Sequence, residues 1–177
     1  IAYEFNEEIQ EWEQVGVDIP NPFPTKNPPA ISANGHRFAI SSYATDSTSS
    51  GQVQIFQLEE TDFYNKKEWK QLGSTLKEST PSNGDGFGTS LSMSADGDFL
   101  AISTVSVECN GVPQFCPTGH INLFRYRPNV VQGRTFVQVP LKPSAAYGNV
   151  AAGAERFRDH NIVGTAVSLS ADGSKIF

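Results

Sequence analysis

Three short phrases of this chain recur in a fixed order, and that recurrence restricts the fold more than any single motif does. The first is a tryptophan strand, Glu11-Trp12-Glu13-Gln14-Val15-Gly16 and Glu68-Trp69-Lys70-Gln71-Leu72-Gly73, with a fainter copy at Thr135-Phe136-Val137-Gln138-Val139-Pro140. The second is a serine strand running into a turn. Ser90-Leu91-Ser92-Met93-Ser94-Ala95-Asp96-Gly97 matches Ala166-Val167-Ser168-Leu169-Ser170-Ala171-Asp172-Gly173, and Ala30-Ile31-Ser32-Ala33-Asn34-Gly35 keeps the end of it. An apolar strand follows each turn: Phe38-Ala39-Ile40-Ser41, Phe99-Leu100-Ala101-Ile102-Ser103 and Lys175-Ile176-Phe177. A fourth, glycine-led strand closes each unit, at Gly51–Phe56 and Gly119–Phe124. Fixed phrases with variable gaps are what stacked supersecondary units produce, because insertions fall in surface loops.

Each phrase has the chemistry of a strand. Alternation in Leu91-Ser92-Met93-Ser94 places Leu91 and Met93 on one face and the serines on the other. Asn-Gly or Asp-Gly between two such runs is a strong hairpin signal, on the expectation that both turn residues take positive φ. The expected fold is all-β: four-stranded antiparallel sheets in up-and-down order, the blades of a β-propeller, with about three blades present as a partial propeller. One blade leaves both faces bare, so stability belongs to the stack. The period divides the chain into 1–10 (the end of a preceding blade), 11–67 (a degenerate first repeat), 68–134 (a second) and 135–177 (a truncated third), all within one propeller domain. A closed ring of six to eight such units needs on the order of 370 to 500 residues, so this chain of 177 reads as an excerpt, with further blades from the same longer polypeptide.

The phrase Gly86-Phe87-Gly88-Thr89-Ser90-Leu91, followed by Asp96-Gly97-Asp98-Phe99-Leu100-Ala101-Ile102, resembles the FG-GAP repeat of integrin α-chain propellers. The Trp-x-Gln-x-Gly strand combined with Ser-Leu-Ser-Ala-Asp-Gly is similar to large tandem-repeat propeller proteins of algae. The resemblance implies a propeller fold and transfers no active site. FG-GAP repeats often carry a calcium loop of the form Asp-x-Asp-x-Asp-Gly. Asp96-Gly97-Asp98 is too short to wrap a cation that takes six to eight oxygens. Pro28-Pro29 also stand where Ser90-Leu91 stand in the next copy, which shortens that strand or sets it at an edge.

Composition narrows the function classes. The formal charge is −6, from 13 Lys+Arg against 19 Asp+Glu, and no basic stripe offers a footprint for nucleic acid. No apolar run reaches the roughly 18 residues of a transmembrane helix. Cys109 and Cys116 enclose one Gly- and Pro-containing insertion, and the expectation is a local disulfide that pins this loop. Such a bond contributes about 2–3 kcal/mol and places the protein in an oxidising setting: extracellular, cell-surface or lumenal.

Catalytic signatures are absent from the pattern. Of the three histidines, His36 and His120 lie near strand starts and His160 in a loop of mixed charge. Glu7-Glu8, Glu11, Glu13, Glu59-Glu60 and Asp62 could form acid pairs for glycoside hydrolysis, but their place between strands reads as solvated surface. No catalytic, cofactor-binding or metal residue is assigned, and no cofactor is expected beyond a loose calcium at the oxygens of Ser79–Asp85. Trp12, Trp69 and Phe136 read as core between blades. Tyr43, Phe115, Tyr147 and Phe157 sit in the longer loops and are the candidate contacts for a protein or glycan partner. The expected function is a non-enzymatic binding or scaffold module. The alternatives are a carbohydrate-active enzyme with a central-channel site, or a purely structural subunit of a larger assembly.

Overall fold

The computed structural model describes residues 1–19, 27–42, 51–61, 66–78, 86–106, 118–130, 133–140 and 166–177. Among them the fold is all-β, with three antiparallel sheets and no helix. Strands β1 (Tyr3–Asn6) and β2 (Glu11–Gln14) form a two-stranded sheet. The second sheet contains β3 (Ala30–Ile31), β4 (Arg37–Ser42), β5 (Gln52–Thr61) and β6 (Lys66–Gln71) in that order, with β7 (Leu76–Lys77) also pairing to β5. The third comprises β8 (Gly86–Met93), β9 (Phe99–Ser106), β10 (Thr118–Val130) and β11 (Gly133–Val139), again in chain order. A last hairpin, joined through Leu169 and Ile176, repeats the serine and apolar phrases.

The strands pair at a different phase from the sequence windows. Each strand of the tryptophan phrase bonds to the strand before it: β2 to β1, β6 to the glycine-led β5 and β11 to the glycine-led β10. Only residues 131–132 separate β10 from β11, and so short a connection forces antiparallel neighbours. The windows 11–67 and 68–134 therefore each open on the strand that closes the sheet before. In hydrogen-bonded terms a unit runs serine strand, apolar strand, glycine-led strand, tryptophan strand.

The serine turns correct one expectation about their backbone. Gly35, Gly97 and Gly173 have φ near +70°, but Asn34, Asp96 and Asp172 do not take positive φ. Each turn instead closes by a bond from the glycine N–H to the serine carbonyl three residues earlier, at 2.9, 3.0 and 2.9 Å. Side chains complete it. The serine hydroxyl donates to the Asn or Asp carboxamide or carboxylate (Ser32–Asn34 2.8 Å, Ser94–Asp96 2.6 Å, Ser170–Asp172 2.6 Å). The same acceptor oxygen takes the N–H of His36, Asp98 or Ser174. Such local bonding favours a turn whose one left-handed residue is glycine, where no Cβ opposes it.

The core is layered between sheets. Ala30, Ala39, Val53 and Ile55 of the second sheet pack against Leu100, Ile102, Phe124 and Phe136 of the third. The third sheet's other face, with Ala101 and Leu123, packs against Val167 and Leu169 of the last hairpin. Alternation in β8 is as expected from the sequence. Met93 enters the first core, while Ser90 and Ser92 face the last hairpin and accept the N–H groups of Val167 and Leu169 at 3.1 and 2.9 Å. No helix among the described residues is long and apolar enough to cross a membrane.

Candidate functional site

The densest polar cluster among the described residues lies at one end of the core between the second and third sheets. Directly opposite pairs share a face of an antiparallel sheet. His120 of β10 is opposite Thr104 of β9, and Asn122 follows two residues on. These three lie on the face that buries Ile102 and Phe124, so they extend the apolar layer with polar groups.

Glu78, just after β7, supplies the acceptor they converge on. Its Oε2 is 2.8 Å from His120 Nε2, accepts from Asn122 Nδ2 at 3.1 Å and lies 3.3 Å from Thr104 Oγ1. Asn122 Oδ1 in turn accepts from Gln138 Nε2 of β11 at 2.7 Å. The side chains of Glu78 and His120 are 6% and 13% exposed. A buried carboxylate is tolerated only where several donors replace its water, and this one has them. Chemically, the cluster ties Glu78, just after β7, to β9 and β10, and through Asn122 to β11.

A second set of polar groups runs across the serine turns. Arg37, the first residue of β4, donates from Nη1 to Asp98 Oδ1 at 2.6 Å and from Nε to Gln57 at 3.1 Å. Its guanidinium also lies 4.1 Å from the centre of the Tyr126 ring, so one side chain ties the second sheet to the third. The Ser94 hydroxyl and the Asp98 N–H hold the Asp96 carboxyl below its ordinary range. Ser170, with the backbone and side chain of Ser174, lowers Asp172 to about 2. At the outer edge, Lys67 lowers Glu4 through a 2.9 Å hydrogen bond and its charge.

The residues singled out in the sequence fall unevenly on this framework. Cys109, Cys116, Tyr43, Phe115, Tyr147 and Phe157 lie outside the described residues, as do Ser79–Asp85 and His160. His36 is exposed in the first serine turn, while His120 belongs to the buried cluster. The repeated aromatics grade from surface to core. Trp12 is 67% exposed, beside Phe5. Trp69 is half-buried, edge-on to Phe38, and donates Nε1–H to Val15 O at 3.0 Å. Phe136 is 5% exposed, against Tyr126. Trp12 thus departs from the core reading because no sheet among the described residues covers it. Sequence reasoning missed Glu78, since Leu76-Lys77-Glu78 looks like any connection and its partner stands 42 residues away.

Compared with known proteins, the chain matches no family model, no curated protein and no solved structure.

Proposed function

We propose that the chain is a run of β-propeller blades akin to the FG-GAP type, serving as a non-enzymatic binding or scaffold module. Its setting is extracellular, cell-surface or lumenal, and its partner is a protein or glycan met by the long loops. The observation that carries this reading is a contact made twice in the same way. Ala33 N–H donates to Ala95 O at 2.9 Å, and Ala95 N–H donates to Ala171 O at 2.7 Å. A repeated turn-to-turn bond joins successive sheets as a stack of equivalent units, the arrangement that propellers use. Sequence length then varies in the connections around Tyr43, Phe115, Tyr147 and Phe157, where recognition is commonly placed. The polar groups that the fold gathers, Glu78 with His120 and serine with aspartate, serve strands and turns.

Glycan and protein arrays probed with the purified chain test the reading. Retention of a defined glycan or protein, reduced by alanine at Tyr43, Phe115, Tyr147 or Phe157, supports it. Turnover of a glycan library by the same chain overturns it. That outcome is the second reading, a carbohydrate-active enzyme, and the observation in its favour is the buried Glu78–His120 pair. Loss of turnover in Glu78→Gln with an unchanged fold would assign the chemistry to that pair.

A further inference from the structure

Equivalent positions in the three serine hairpins have unequal surroundings. Met93 and Leu169 are each 9% exposed, because each lies against the sheet before it, whereas Ile31 in the first hairpin is 60% exposed. The glycines follow the same rule. A Cβ at Gly97 would lie 2.9 Å from Arg37 Cδ, and one at Gly173 would lie 2.5 Å from the Phe99 ring. Arg37 and Phe99 are both the second residue after their own turn glycine, so each hairpin lays that side chain over the next glycine. A Cβ at Gly35 would meet nothing within 4 Å. Ile31 and Gly35, with Phe38, Ile40, Leu58 and Trp69, line a cavity of about 390 Å³ whose other side is Ile1–Glu4, at the start of β1, with Val15 just after β2.

We infer that this face of the second sheet is a docking surface for one more β-hairpin of the chain's own serine-turn type, seated beside β1 and β2. The surface continues an interface that the molecule already makes twice, and those two copies specify the occupant. Its sheet-facing side carries small residues, as Ala30 and Ala39 do in one copy and Ser92 and Ala101 do in the other. A serine hydroxyl there would accept the Ile31 N–H, as Ser92 accepts that of Leu169. The residue after its turn lies over Gly35 and beside His36, which stands where Asp98 pairs with Arg37. An apolar ring like Phe99 suits that place better than a cation, since His36 offers no carboxylate of the kind Asp98 gives Arg37. This disfavours the last hairpin of a second copy, which carries Lys175.

The inference rests on the stacked-blade reading, and a lengthened chain of known composition tests it. By repeat register Ile1 corresponds to Asn122, so residues 86–121 are copied onto the front of the full 177-residue chain to complete a four-stranded unit. Hydrogen exchange at the Ile31 amide is expected to slow at least tenfold in the extended chain. Ile31→Lys, near-neutral in the parent, is expected to lower the extended chain's unfolding midpoint by several degrees. Equal Ile31 exchange in both chains overturns the docking, as does an equal effect of Ile31→Lys. Self-association of the parent that Ile31→Lys abolishes also overturns it, by giving the face to a second copy. Protection of the Met93 amide, read in the same experiment, reports separately on stacking of the third sheet over the second.

Discussion

The amide N–H of Ala33 donates to the carbonyl oxygen of Ala95 at 2.9 Å, and the two residues hold the same place in consecutive hairpins. Ala95 repeats the gesture toward Ala171. Turns that would otherwise be loop tips thus become points of registration between sheets, which explains why their glycines differ in tolerance. Gly35→Ala meets open space and bears only the left-handed backbone, so it should cost about 1 kcal/mol. Gly97→Ala adds a close approach to Arg37 and Ser32 and should cost about 2 kcal/mol or more. Gly51→Ala drives a Cβ into the Phe87 carbonyl and should cost more than about 3 kcal/mol. Urea unfolding midpoints of the three variants check this order.

Glu78 is the acceptor of a buried cluster, so its removal strands donors. Glu78→Ala leaves His120 and Asn122 without their carboxylate partner and should cost about 2–4 kcal/mol. A double-mutant cycle with His120→Ala should return a coupling of about 1–2 kcal/mol. Additivity of the two substitutions would mean that the pair does not act as a unit.

The serine–aspartate turns make stability fall in acid. Asp172 drops from an ordinary 3.8 to about 2, chiefly because Ser170 donates to its charged form, and Asp96 shifts in the same direction through Ser94. A carboxyl lowered in the folded state stabilises it fully above the unfolded pKa and loses that contribution as pH falls through the folded value. The loss should therefore begin below about pH 4 and, for Asp172, be complete only below about pH 2. Carboxyl-carbon NMR titration should place the Asp172 midpoint near 2, and Ser170→Ala should raise it toward 3.8.

One repeat position carries Trp12, Trp69 and Phe136, with three different costs on truncation. Phe136→Ala empties a core site and should cost about 3–5 kcal/mol. Trp69→Ala loses its packing on Phe38 and the bond to Val15, and should fall between the extremes. Trp12→Ala should cost less than about 1 kcal/mol in this chain. Thermal unfolding of the three variants checks the gradient.

The strands and hairpins were legible because their signals are local. Alternation in Leu91-Ser92-Met93-Ser94 and the Asp-Gly turns act over a few residues, and the structure keeps both. The turn's inner geometry was less legible, since a serine hydroxyl and an aspartate carboxylate can support more than one backbone path. Arg37 reads in sequence as an ordinary strand-start charge. Only the neighbouring sheet makes it the partner of Asp98 and Tyr126.

By itself the sequence determined that this chain builds repeated antiparallel hairpins, because period-two alternation and turn chemistry are properties of adjacent residues. Tertiary structure alone decided which strands share a sheet, where Glu78 finds His120, and why Met93 is buried while Ile31 is open. Those outcomes depend on groups that meet across dozens of residues. A repeated phrase carries the same residues each time, and the face laid against it sets what each copy becomes.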